Sequence, residues 1–144
     1  MMNITTERPV TDAGESTSWC TYNFAILRVV PHVHLGTFVP VGVILHARTE
    51  EFLGMKVITE ISRLRHCVPD IDIELLARYL QACLAIANGD PHAGPVALAP
   101  TSERFHWLTA PRSDVLQSSA IHEGLSTDPA KVLEQLFAVY VGEK

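Results

Sequence analysis

The chain has 144 residues, a length typical of one domain with a buried core. Its net charge of −5 and 19% of charged residues provide no basic excess, which argues against binding to duplex nucleic acid through its phosphates. Hydrophobic residues make up 47% of the chain, but no run reaches the roughly 20 apolar residues of a membrane helix, and no signal-peptide pattern is present, so we expect a soluble cytoplasmic protein.

The beginning of the chain is polar and lacks periodicity. Residues 1–18 are therefore predicted to form a disordered N-terminal tail, and residues 19–144 a single domain. Tyr22 to Val30 is a nearly continuous apolar run, which predicts a central strand. Arg28 interrupts this run on the side of the strand that otherwise carries apolar residues. A charged head on such a face requires a partner.

Two further strands are predicted after this one. They cover Phe38 to His46 and Phe52 to Ile58, and a hairpin through residues 31–37 is the simplest connection to the first strand. Pro40 cannot donate to a strand ladder and Gly42 has no side chain. The second strand is therefore expected to lie at a sheet edge or to be bent there.

Three helices are predicted from caps and apolar spacing. Ile61 to Cys67 is a short helix, and Asp72 is placed to cap a longer helix that closes at Asn88-Gly89. Asp128 caps the last helix, and the proline that follows it fits the first turn. Both longer helices carry an apolar stripe at spacings of three and four residues.

Thr101 to Gly124 is the stretch richest in polar, charged and aromatic groups. Ser102 or Thr101 is predicted to cap a short helix that Pro111 stops, and Arg112 to His122 is predicted to be extended. The elements together predict an α+β domain. It has a mainly antiparallel sheet of three to four strands, helices packed on one face, and an amphipathic C-terminal helix.

No catalytic or metal constellation is favoured by the residue spacing. Ser118 and Ser119 lie near His122, but four residues along a strand span about 13 Å, which is too far for a nucleophile and its base. A zinc site built from His32, His34 and His46 is conceivable, but ordinary loop and strand-end histidines are the better interpretation. We therefore assign no metal, no cofactor and no catalytic residue.

A second metal pattern is incomplete, and the cysteines add none. Glu103 and His106 match half of a carboxylate-bridged motif whose other copy is missing. Cys20, Cys67 and Cys83 are odd in number and form no CxxC pair, which predicts reduced thiols.

A cluster of arginines with neutral donors is the more informative set, because guanidinium groups bind phosphates and carboxylates. The candidate ligand-binding residues are Arg28, Arg104, Trp107, Arg112, Ser113, Gln117 and His122. The alternative is a structural network in which Arg112 pairs with Asp114, and Arg28 with Glu103 or Asp114. Trp107 and Phe105 would then be core residues rather than a stacking platform for a base.

Four blocks of the sequence resemble a known family. They are YNFAILRVVP, FVPVGVIL, SERFHWLTAPRSDVLQ and HEGL, and they extend over about Tyr22 to Val141. The chain resembles the bacterial family called domain of unknown function 3037. The matching polar positions are Arg28, Ser102, Glu103, Arg104, Trp107, Arg112, Ser113, Gln117, His122 and Gly124. It departs from the family pattern at Pro40, His106 and Glu123, where asparagine, arginine and threonine are usual.

The resemblance brings no established activity. It implies a small bacterial protein whose relatives are often encoded beside a HipA-like kinase domain, and hence a protein partner. The first hypothesis is therefore a non-enzymatic accessory or interaction module. The alternatives are an anion- or nucleotide-binding domain or enzyme that uses the arginine and histidine cluster, and, least favoured, a protein that binds single-stranded nucleic acid through Trp107.

Overall fold

The computed structural model describes residues 18–30, 37–68, 71–110 and 116–142. These residues form an antiparallel sheet of five strands with four α-helices, which confirms the predicted α+β class with one strand more than the highest count expected. The elements, in chain order, are β1 Cys20–Val29, β2 Val39–Ala47, β3 Phe52–Val57, α1 Ile61–Cys67, α2 Ile73–Ala87, α3 Thr101–Thr109, β4 Leu116–Ser118, β5 His122–Ser126 and α4 Pro129–Tyr140.

Strand β1 is the centre of the sheet. It pairs with β2 along one side, and β2 pairs in turn with β3. Along its other side β1 pairs with both β4 and β5, β4 beside its second half and β5 beside its first half. In the described part of the chain, β4 and β5 have no strand on their outer side, so they form one edge of the sheet.

Helix boundaries follow local rules at α2 and α4. The Asp72 carboxylate accepts from Leu75 N at 3.1 Å, and the Asp128 carboxylate accepts from Lys131 N at 3.2 Å, so both predicted caps are confirmed. Gly89 follows α2 with φ +71, the left-handed conformation that favours glycine.

The predicted cap of α3 is wrong. Pro100 is the N-cap residue of this helix and no side chain caps it, while Thr101 and Ser102 are already helical. The physical reason is that the extended Pro100 leads directly into the first turn, and its carbonyl accepts from Glu103 N and Arg104 N at 3.0 Å.

The sheet carries helices on both faces. His46 of β2 contacts Thr101 in α3, whereas the neighbouring Leu45 points the opposite way and pairs with Gly54 of β3. A Cβ on Gly54 would lie 2.8 Å from Leu133 of α4. Helix α4 therefore lies across the sheet from α3, which adds a layer to the predicted arrangement. Both faces need cover because every residue from position 41 to 47 of β2 is buried.

A β-bulge lies in each strand next to the second half of β1. Leu27 pairs with Gly42 and Arg28 with Pro40, so β2 contains one extra residue there. This is the bend that Pro40 and Gly42 predicted, and a Cβ on Gly42 would approach Val57 Cγ1 to 2.7 Å. The edge strand also contains an extra residue: Leu27 pairs with Ser118 and Phe24 with His122, three residues apart on β1 and four on the edge.

Candidate functional site

Arg28 lies in the central strand, opposite Gln117 of β4 and Pro40 of β2. Its side chain is partly buried, and its Cζ atom lies 4.5 Å from the centroid of the Phe38 ring, a cation–π contact. Its Nε is fully enclosed and has no hydrogen-bond acceptor within the described residues. Neither Glu103 nor any other described carboxylate forms an ion pair with Arg28.

Gln117 and His122 share the sheet face of Arg28. Cross-strand partners point to the same side of a sheet, which places Gln117 beside Arg28 and His122 beside Phe24. The His122 ring lies against the Phe24 ring with centroids 5.3 Å apart. Phe24 and Arg28 are four residues apart on β1, so His122 lies about 13 Å along the strand from the arginine. The three side chains share one face of the sheet, and this separation divides the face into two parts.

An aromatic cluster surrounds His122; we use this name for Tyr22, Phe24, His122 and Tyr140. Phe24 contacts the other three members, with ring centroids 5.3 to 6.3 Å apart. Tyr22 and Phe24 are buried, whereas His122 and Tyr140 are exposed. Burial raises the pKa of Tyr22, and Tyr140 raises it further. The cluster thus has an apolar floor and a polar, solvent-facing rim.

Arg104 lies on the opposite side of the sheet, in α3. Its Nε donates to Ala99 O at 2.9 Å, and one terminal nitrogen donates to Ile86 O at 3.2 Å and Ala87 O at 3.0 Å. The last two carbonyls belong to the end of α2, where unpaired carbonyls favour a cation. The structure therefore gives Arg104 a role in joining α3 to α2.

Trp107 also belongs to the α3 side of the sheet. It is 37% exposed and borders a shallow depression together with Leu27, Tyr79 and Leu116. Arg112 and Ser113 lie outside the described residues. Of the seven candidates, the structure places Arg28, Gln117 and His122 on one face and Arg104 and Trp107 on the other.

Sequence reasoning missed the exposed character of the sheet edge. None of the five residues of β5 is buried, and Leu125 within it and Ile121 just before it are 42% and 49% exposed. Tyr140 and Val139, at the end of α4, are also exposed, at 47% and 75%. The residue pattern of β5 does not indicate this exposure. It becomes visible only from the strand order of the sheet, in which β5 pairs with β1 and with no other described strand.

The remaining polar candidates have structural partners. Ser119 Oγ accepts from Ile26 N at 2.9 Å and donates to Ala120 O, and Ser118 Oγ donates to Ser119 O, so both hydroxyls bond to the backbone. His46 is buried against α3, while His32 and His34 lie outside the described residues. Within the described ranges, no three histidine, cysteine or acidic residues are placed to bind a metal ion.

A cavity of about 340 Å³ lies where β3, α1 and α4 meet, lined in part by Lys56, Arg63 and Phe137. Both cations already have partners. Lys56 Nζ lies 2.7 Å from the Glu134 carboxylate, and Arg63 donates to Gly142 O at 2.6 Å. We interpret this cavity as a polar gap between packed elements.

The fold and the site define an α+β domain whose sheet presents a partly buried arginine on one face and an unpaired, exposed edge. None of the helices in the described ranges is long and apolar enough to cross a membrane. A comparison with known families matches residues 24–141 to DUF3037, described as a protein of unknown function. The chain belongs to the DUF3037 family. No curated protein and no solved structure matched the chain.

Proposed function

We propose that this protein is an interaction module that binds a partner protein at the β4–β5 edge of its sheet. The observation that carries the proposal is the exposure of β5, which has no buried residue and no strand on its outer side within the described chain. A strand in this position offers backbone donors and acceptors to an extended segment of another chain.

The side chains around the edge supply apolar contact area. Ile121 lies just before β5 and Leu125 within it, and both are exposed. Leu125 lies opposite Thr21, whereas Tyr140 of α4 contacts Phe24 on the other face of the sheet, so exposed apolar groups lie on both faces of this edge. Single exposed apolar residues are ordinary on protein surfaces, but several along one unpaired edge are typical of an interaction surface. Tyrosine at the rim of such a surface is also favourable, because it buries a large area with few rotatable bonds.

A non-enzymatic role fits the arrangement of the polar groups. His122 lies about 13 Å along the strand from Arg28, so a substrate would have to span that distance to touch both groups. The Arg104 donors that the sequence offered as a clamp are bound to backbone carbonyls. Binding is thus better supported than chemistry.

The resemblance to the family names the first partner to test, a HipA-like kinase, because relatives in the family are often encoded beside such a kinase domain. The experiment is co-expression of both proteins followed by affinity purification through a tag on the kinase. Wild-type protein should co-purify at a defined stoichiometry. Leu125→Lys places a charge on the edge and should reduce recovery at least tenfold without unfolding the domain.

A matched control separates edge binding from surface hydrophobicity in general. Leu98 is 67% exposed on the short 3₁₀ turn before α3, away from the edge, so Leu98→Lys should leave recovery unchanged. Equal loss in both variants would contradict the edge as the binding surface. Clean separation of the wild-type protein from the co-expressed kinase would remove the kinase as the partner.

A further inference from the structure

We infer that Arg28 is a recognition residue for an oxyanion, a carboxylate or phosphate group that approaches the sheet face from solvent. This site is distinct from the β4–β5 edge and does not depend on a protein partner. Its basis is a cation in the middle of the sheet whose Nε donor has no acceptor and whose charge has no carboxylate partner within the described chain.

The first argument concerns the cost of burying Arg28. A guanidinium removed from water loses strong hydration, and protein structures normally restore it with carboxylates or carbonyl acceptors. Arg104 in the same molecule shows this usual solution, with three carbonyl contacts. Arg28 has an enclosed Nε without an acceptor among the described residues, and the Phe38 ring lies against its guanidinium group. Within the described residues Arg28 therefore lacks the acceptors that normally offset the loss of hydration, and an anionic ligand would supply them.

The second argument is that the neighbouring strands provide no substitute for the missing anion. On β2 the residue opposite Arg28 is Pro40, which has no N–H and no polar side chain. On β4 the opposite residue is Gln117, a neutral side chain. Helix α4 packs on the same face of the sheet, but the contact of Tyr140 with Phe24 places its end about four residues before Arg28 along β1.

The third argument is the local geometry of the sheet. Two bulges flank the second half of β1, one in β2 between the partners of Leu27 and Arg28, and one in the edge strand between Ser118 and His122. Bulges re-aim side chains and are frequent next to binding sites. Here both lie within a few residues of the same arginine, so the strand distortions and the unpaired cation coincide.

The ligand class follows from the donor. A guanidinium fork matches the oxygen pair of a carboxylate or phosphate, and one arginine without a second described cation beside it suits a single oxyanion group. The net charge of −5 opposes long-range attraction of polyanions, which favours a small ligand or one acidic group on a larger molecule.

The experiment uses the full chain and follows the Arg28 Nε–H resonance by NMR, assigned from its loss in Arg28→Lys. Inorganic phosphate and acetate are titrated separately at constant ionic strength, so that the two oxyanion classes are compared directly. We expect a saturable shift of this resonance with at least one of them. We also expect a rise in melting temperature of the wild type that Arg28→Met does not show.

The baseline stability of the variants provides a second readout. Because methionine removes a buried, unpaired donor but keeps the aliphatic length, Arg28→Met should melt at a higher temperature than wild type without anion. Arg78→Met, which replaces an exposed arginine on α2, is the control and should keep the anion response. If Arg28→Met fails to fold, Arg28→Lys serves instead and should lower the anion affinity at least fivefold.

The outcomes separate this proposal from the proposed function. Two results would overturn the oxyanion site. One is a linear, unsaturable shift of the Arg28 resonance with both anions, and the other is a rise in melting temperature with anion that is equal in Arg28→Met and the wild type. Leu125→Lys should retain the anion response while losing the protein partner. Loss of the partner in Arg28→Met together with no response to free anions would assign the arginine to the protein interface and also reject the inference.

Discussion

His46 and Thr101 connect the middle of the sheet to helix α3: the Nε2 atom of the histidine lies 3.2 Å from the threonine Oγ1. His46 is only 4% exposed, and its ring stacks on Phe105 with centroids 5.3 Å apart. The neutral form of His46 fits this site. A buried imidazolium would need acceptors for two N–H groups, and in the described structure the ring contacts one hydroxyl and no carboxylate.

Acid should therefore destabilise the fold through His46. Burial is the main cause that lowers its pKa; Arg48, Arg104 and His106 also lower it, and Glu51 opposes them. The pKa of His46 in the folded protein lies below its unfolded value of about 6.5, so between these two pKa values the unfolded chain binds more protons than the folded protein does. The contribution of neutral His46 to the unfolding free energy is therefore fully present above about pH 6.5. It is lost as the pH falls toward and through the lowered pKa.

Urea unfolding measured between pH 7.5 and 5 tests this expectation. The unfolding free energy of the wild type should fall with acidification, and His46→Leu should flatten that dependence over the same range. His66→Ala, which removes an exposed histidine on α1, is the control and should keep it. An unchanged pH profile in His46→Leu would assign the acid sensitivity elsewhere.

Gly124→Ala should destabilise the domain. The Tyr22 side chain lies directly over Gly124 across the strand pair, and an added Cβ would meet its ring, with Cε1 at 2.8 Å. The ring must shift within a buried cluster, which costs about 1–3 kcal/mol for overpacked sites. Chemical denaturation measures the loss. In a double-mutant cycle with Tyr22→Leu the penalty should shrink, and full additivity would contradict steric coupling.

Arg104→Ala should lower the unfolding free energy by about 1.5–3 kcal/mol, the range for hydrogen bonds made by a charged group. The reason is the loss of its bonds to Ala99 O and to Ile86 and Ala87 at the end of α2. Urea denaturation checks this, with Arg78→Ala on the exposed face of α2 expected to change stability by less than about 0.5 kcal/mol. Partner recovery should be normal in both variants.

The cysteines should differ in reactivity toward a thiol reagent. Burial raises the pKa of Cys20, a smaller contribution comes from Glu50, and its Sγ donates to Ser126 O at 3.3 Å. Cys67 is partly exposed. Because the thiolate is the reactive form, mass spectrometry of native protein treated with maleimide at pH 7 should show Cys67 modified well before Cys20. Equal rates in native protein, followed by equal rates in urea, would contradict this order.

Local signals in the sequence predicted the parts of the fold that depend on neighbouring residues. Asp72 and Asp128 cap their helices because each lies three residues before the N–H it accepts from. Arg28 was recognised as a charge on an apolar face from strand alternation alone. Pro40 and Gly42 correctly indicated a bend, since one removes a donor and the other removes a side chain.

Features set by distant contacts could not be predicted. The carbonyls that bind Arg104 lie 5, 17 and 18 residues away, and nothing in the α3 sequence indicates where α2 ends in space. The bulge that divides β4 from β5 is defined by the register against β1, so the sequence suggested one extended segment. The assignment of α4 to the second sheet face likewise depends on Gly54 leaving room for Leu133.

The position of β1 between early and late strands has a consequence for synthesis. Cys20, the first residue of β1, donates a hydrogen bond from its Sγ to the carbonyl of Ser126, which lies 106 positions later in the chain. A nascent chain therefore carries an apolar strand with one unpaired side until nearly all of the domain has left the ribosome. Closing so large a loop slows folding, and an exposed apolar strand promotes aggregation. We expect the domain to fold only after β5 has left the ribosome, and chaperone demand to depend on how soon β5 becomes available.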